Sequence, residues 1–102
     1  MTHRVFVENN SRQNMASGRR LHGIYSSGEE AERACRQIVD RYLLSEYRNG
    51  ISSKDLFRQF TIFGIDPFIV ASAGDTSFSA RQYARQRCNE LCREVSPVAM
   101  AH

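Results

Sequence analysis

The chain contains no tryptophan, two prolines, three cysteines and a single lysine, Lys54, among its 14 basic residues. No stretch approaches the ~18 consecutive apolar residues of a membrane helix. The first ten residues lack the apolar segment of a secretory signal, so a cytoplasmic location is expected. Cys35, Cys88 and Cys92 form an odd set, which argues against a disulfide framework and for reduced thiols. The phosphate-loop, dinucleotide-fingerprint, zinc-protease and serine-hydrolase signatures are all missing. Their absence leans the reading away from an enzyme, and no cofactor is expected.

What is present fits a small globular domain. Of 102 residues, 41% are hydrophobic and 25% charged, close to the average for such domains. The expected organisation is one domain over residues 1–96 with a flexible tail over 97–102, after Pro97. The net charge of +3 is spread along the chain, since eight basic and six acidic residues precede Ser52. Neither half is a basic tail.

Residues 3–8 alternate as a short strand, with Val5 and Val7 on one face. Residues 9–20 are polar and hold Arg12, Arg19 and Arg20 without an acid, which reads as a long loop carrying +3. Leu21 to Tyr25 reads as a second strand, antiparallel to the first. If Leu21 and Tyr25 point inward with Val5 and Val7, then Phe6 and Ile24 point outward.

Ser26 and Ser27 each have a glutamate three residues on, a capping-box spacing that opens a helix. Ala31, Ala34, Cys35, Ile38, Val39, Tyr42 and Leu43 form its apolar stripe, and its end is expected near Arg48, with Gly50 beyond. Glu29/Arg33 and Glu32/Arg36 are spaced as ion pairs on its wet side. Ser52 or Ser53 opens a shorter helix with Leu56, Phe57, Phe60 and Phe63 toward the core and Gly64 as terminator. Phe68-Ile69-Val70 reads as a short buried strand after Pro67. Ser79 is a helix cap with Gln82 three residues later, and Phe78 can staple onto Tyr83. The last helix buries Ala80, Tyr83, Ala84, Cys88, Leu91, Cys92 and Val95. The order is β-β-α-α-β-α, and the expected fold is an α+β two-layer sandwich: a three-stranded, mainly antiparallel sheet with three helices on one face.

Three phrases stand out: Gly-Ile-Ser-Ser-Lys-Asp-Leu-Phe from Gly50, Phe-Gly-Ile-Asp-Pro-Phe-Ile-Val from Phe63, and Phe-Ser-Ala-Arg-Gln-Tyr-Ala-Arg-Gln-Arg-Cys from Phe78. They resemble a group of short, uncharacterised bacterial proteins, over roughly Tyr25 to Cys92. The resemblance implies a bacterial cytosolic domain and carries over no catalytic residue.

Several groups of residues have side chains that could carry chemistry. With His22 or His3, the three cysteines have the composition of a zinc site, but they lie on apolar helical stripes, where cysteine packs as a small hydrophobe. A Cys–His22 catalytic pair would need a lowered thiol pKa, which mid-helix and C-terminal positions do not favour. Asp66 before Pro67 and Asp75 after Gly74 read as turn residues rather than an acid–base pair. Ser77 and Ser79, beside Arg81, form a possible anion site at a helix N-terminus, with plain capping by Ser79 favoured. The aromatics of the second half read as core rather than as a ligand pocket.

The candidate binding residues are therefore Arg12, Arg19, Arg20, Arg81 and Arg85. Arginine suits phosphate and carboxylate through its planar fork. The function expected is a non-catalytic accessory or protein-interaction domain with a protein partner. The alternatives are a weak, sequence-tolerant nucleic-acid binder and, last, a small thiol- or carboxylate-dependent enzyme. No membrane partner is expected, and a homodimer through the helix-free sheet face is possible.

Overall fold

The computed structural model describes residues 2–9, 19–71 and 78–94. The elements are β1 (His3–Asn9), β2 (Arg20–Tyr25), α1 (Gly28–Glu46), α2 (Ser53–Phe63), β3 (Ile65–Ala71) and α3 (Ala80–Glu94), in the expected order. Residues 72–77, which include Ser77 and the expected turn residue Asp75, lie outside the described residues, as do Arg12, Val95 and the expected tail over 97–102. Among the described residues, no helix is long and apolar enough to cross a membrane.

Serines open all three helices. Each has a hydroxyl oxygen that accepts an otherwise unsatisfied backbone N–H in the first turn. Ser27 accepts from Glu30 at 3.1 Å, Ser52 from Asp55 at 3.1 Å and Ser79 from Gln82 at 3.2 Å. Ser26 adds a hydrogen bond from its hydroxyl to the Glu30 carboxylate. The α1 helix stops at Glu46, slightly before the expected end, where Tyr47 turns extended while its N–H still bonds Leu43. Gly50 follows with φ +90°, a left-handed conformation that suits a residue without Cβ. Gly64 turns extended and ends α2, and a Cβ there would sit 2.7 Å from the carbonyl oxygen of Phe60.

The sheet order is β2-β1-β3, antiparallel throughout. Pro67, which has no backbone N–H to give to a ladder, sits on the edge strand β3, opposite Val7. All three helices lie on one side of the sheet. The first half of α1 packs Ala31, Ala34 and Cys35 against Val5. Its second half gives Val39 and Leu43 to a separate cluster with Leu56 and Phe60 of α2 and Ala80, Ala84, Cys88 and Leu91 of α3. Phe78 touches both clusters. Helix α1 is thus the beam that joins the sheet to the helical pair.

Five expectations are corrected. Phe63 is 56% exposed rather than core: Leu56 and Phe60, one turn apart, face α1 and α3, and Phe63 is the last residue of the helix, past that contact. The third strand is not a buried run. Among the described residues only one sheet face is covered, so Pro67 and Ile69 turn inward while Phe68 and Val70 turn outward, Val70 with 43% exposure. Asp66 lies within β3 opposite Glu8 rather than in a turn. Leu21 points outward, 48% exposed. The register between β1 and β2 shifts at Val5/Phe6, pairing Leu21 with Phe6 and Arg20 with Val7. A one-residue slip of this kind exchanges the faces of the side chains beyond it. Of the two expected ion pairs on α1, Glu32–Arg36 forms at 3.4 Å and Glu29–Arg33 does not.

Candidate functional site

The helix-free face of the sheet is the most distinctive surface of the molecule. Its central row is Arg4, Phe6 and Glu8 of β1, flanked by Val70, Phe68 and Asp66 of β3. Leu21 and Ile24 complete it from β2, Ile24 with 58% exposure. Phe6 and Phe68 face each other across the strands with ring centroids 5.8 Å apart and planes at 19°. This is an offset stack, a favourable cross-strand arrangement. The guanidinium carbon of Arg19 stands 5.0 Å from the Phe68 ring centre, within cation–π range.

The charges on this face are segregated along the strands. Arg4 lies at one end, beside Val70 and Ile24. Glu8 and Asp66 pair with one another at the other end. Burial, then the neighbouring Glu8 carboxylate, push the Asp66 carboxyl above the usual range, and Arg81 opposes them. Two like charges placed opposite each other destabilise a strand pair.

The described candidate arginines are distributed over β2, α3 and the residue before β2. Arg19 lies on the open sheet face. Arg20, opposite Val7, turns to the helix side of the same sheet. Arg81 is exposed in the first turn of α3 and acts electrostatically on Asp66. Arg85, one turn later, lies 5.2 Å from the ring centre of Phe57 on α2. Ser79 spends its hydroxyl oxygen on the N–H of Gln82, the capping role. Arg12 and Ser77 are outside the described residues.

The thiols are embedded in packing. Cys35 and Cys88 are buried and Cys92 is half-buried. Burial pushes the thiols of Cys35 and Cys88 up to about 12, with Glu32 adding to the shift at Cys35 and Cys92 at Cys88. Burial raises Cys92 as well. These shifts oppose a thiolate at neutral pH. Among the described residues, no three His, Cys, Asp or Glu side chains are grouped to hold a metal ion.

Sequence reasoning missed one polar cluster entirely. Oδ1 of Asp40 on α1 accepts from the Tyr83 hydroxyl at 2.8 Å and from Nε of Arg87 at 3.0 Å, both on α3. Arg87 also donates to Glu90 at 2.9 Å. More than forty residues separate Asp40 from its partners, so no local spacing marks it. The cluster fixes the two helices against each other and leaves Arg87 committed.

Comparison of the chain with protein-family models, with curated proteins and with solved structures finds no match. The functional reading therefore rests on the geometry.

Proposed function

We propose that this chain is a non-catalytic cytosolic interaction protein whose working surface is the helix-free face of the sheet, and that it docks there against a second copy of itself. The observation that carries the reading is the exposed apolar row of Leu21, Ile24 and Val70 around the Phe6–Phe68 stack. Contiguous apolar surface with a polar margin marks an association site. The polar ends of the row favour a second copy. In a two-fold, face-to-face packing with antiparallel strands, Arg4 of one protomer faces Glu8 of its partner, and the reverse. Phe6 meets Phe6 at the centre, as the self-complementary logic of a two-fold interface requires. Aligned sheets pack face to face in this manner about 10 Å apart. Three short strands present less area than obligate dimers use, roughly 2,000 Å² or more, so the association is reversible and concentration-dependent.

Sedimentation equilibrium across a concentration series tests this. The wild-type chain is expected to dimerise in the micromolar range. Ile24→Arg with Val70→Arg should leave a folded monomer, because both residues are exposed in the single chain. Arg4→Glu should weaken the dimer, and Arg4→Glu combined with Glu8→Arg should restore it. A wild-type monomer at several hundred micromolar overturns the reading, as does a dimer indifferent to these changes. Arg19 above Phe68 also suits single-stranded nucleic acid, since arginine and aromatic groups together hold bases. Retention of labelled oligonucleotide at low salt, lost in Arg19→Ala, would put nucleic acid on this face in place of the second copy.

A further inference from the structure

The opposite face of the same strand carries a second, independent feature. The register shift in β2 turns Leu21 out to solvent and brings Arg20 in, opposite Val7. That inverts the ordinary preference for apolar side chains beneath a sheet. Bulges that re-aim side chains recur beside functional sites, and local rules are broken where function compensates. Arg20 does not enter the packed core. With His22 it stands over a cavity of about 340 Å³ between the β2 edge and the second half of α1.

The floor and rim of this cavity differ in character. Val7, Ile38 and Ile65 form an apolar floor, and Arg20, Arg41 and His22 form the rim. Among the described residues, no carboxylate lines it. Among the described residues, neither Arg20 nor Arg41 is in an ion pair. On α1, the charge of Glu46, after burial, helps raise the Tyr42 hydroxyl. Tyr42 and Ser45 spend their hydroxyl protons on backbone carbonyls, Tyr42 on Gln59 at 3.3 Å and Ser45 on Tyr42 at 2.7 Å. Each hydroxyl oxygen therefore keeps lone pairs, while the two guanidinium forks supply the free donors.

We propose that this cavity binds a small amphiphilic anion, a carboxylate or phosphate carried on an apolar body. The guanidinium groups of Arg20 and Arg41 take the head group in their planar forks. The body lies on Val7, Ile38 and Ile65. The volume falls within the range of small-ligand pockets, which pair an apolar lining with a few convergent polar groups. Two cations held over an apolar floor without an acid repel each other, and an anion is the partner that relieves them.

Chemical-shift titration of the folded chain with octanoate and octyl phosphate tests the assignment. Both are expected to shift the amides of Val7, Arg20, His22 and Ile38 in a saturable manner below a few millimolar. Octanol and octylammonium should bind at least ten-fold more weakly. Inorganic phosphate, which lacks a body for the floor, should likewise be at least ten-fold weaker than octyl phosphate. Arg20→Gln with Arg41→Gln should weaken both anions ten-fold or more while leaving the remaining amide shifts in place, which shows that the fold survives. The proposal is overturned if octanol matches octanoate, if inorganic phosphate matches octyl phosphate, or if the double variant binds undiminished. Shifts confined to Phe6, Ile24 and Phe68 would also overturn it, by moving the amphiphile to the other face.

Discussion

The hydroxyl of Tyr83 on α3 donates to Oδ1 of Asp40 on α1 at 2.8 Å, and the same oxygen accepts Nε of Arg87 at 3.0 Å. One carboxylate oxygen thus ties two turns of α3 to α1. Tyr83→Phe removes one donor and leaves the ring packing in place. A hydrogen bond to a half-exposed charged acceptor contributes about 1 kcal/mol, and for a domain of this size that lowers Tm by roughly 4–8 °C. Arg87→Ala should cost a similar amount, and the double variant should cost less than their sum because the two share an acceptor. Thermal melts of the three variants check both statements, and strict additivity would show that the bonds act independently.

The cysteines should be chemically quiet. With thiols at about 12, only about one in ten thousand Cys35 or Cys88 side chains is a thiolate at pH 8. Disulfide-exchange reagents are expected to leave both untouched for many minutes in the native state and to modify all three cysteines at once in denaturant. A native thiol other than Cys92 that reacts within seconds would contradict this packing and reopen a nucleophilic role.

The same burial makes the protein sensitive to alkali. Cys35, Cys88 and Tyr83 all have folded values pushed up to about 12, from unfolded values of 9.0 for the thiols and 10.0 for the phenol. Each group stays protonated in the fold while the unfolded chain releases its proton. Their contribution is therefore complete below pH 9 and declines as pH rises toward 12. Melting temperatures are expected to be level between pH 7 and 8.5 and to fall steadily from pH 9 upward. Cys35→Ser or Cys88→Ser should flatten the decline while lowering the starting stability.

Asp66 gives the opposite lever. Burial and then Glu8 raise its carboxyl, so the fold favours the protonated form. Its contribution is present below the ordinary carboxylate value of 3.8 and is lost as pH rises through the folded value. Asp66→Asn should raise Tm at pH 7, and the gain should shrink toward pH 3, where the native carboxyl is neutral. A gain that persists unchanged at pH 3 would assign the effect to packing instead.

Phe60 and Phe63 lie close together in one helix and should behave very differently. Phe60 is 2% exposed, and large-to-small changes at such sites cost about 3–5 kcal/mol. Phe60→Ala is expected to unfold much of the population, and Phe60→Leu to remain folded with a clear loss in Tm. Phe63→Ala should change stability by no more than about 0.5 kcal/mol, as exposed positions usually do.

That contrast marks what the residues alone disclose. Helix starts are legible because a serine cap and its acceptor geometry are local: Ser79 is the expected cap, and Ser27 and Ser52 are each one of the two adjacent serines that the spacing allows. The element order and the α+β class followed from periodicity for the same reason. Phe63 was misplaced because helical spacing reports a face, not how far a neighbouring helix extends along it. Leu21 was misplaced because one extra residue in β2 reverses the parity of everything beyond it, and alternation cannot show an insertion. Arg20 was singled out as a binding residue, yet its cavity was invisible, since Arg41 and Ile65 join it only through tertiary packing. The separation of Arg19 from Arg85 has the same origin.

Of the three strands in the sheet, the one earliest in sequence is the middle one. β1 can pair with β2 almost at once, but its other edge waits until Ile65–Ala71 has been made and has returned past two helices. During that interval a run of valine and phenylalanine carries unpaired backbone groups, which is the condition that invites pairing with another chain. Closing so long a loop also slows the search for the native pairing. Folding yield should therefore depend on how quickly β3 arrives, and a chain stalled before Ile65 should aggregate through the open side of β1.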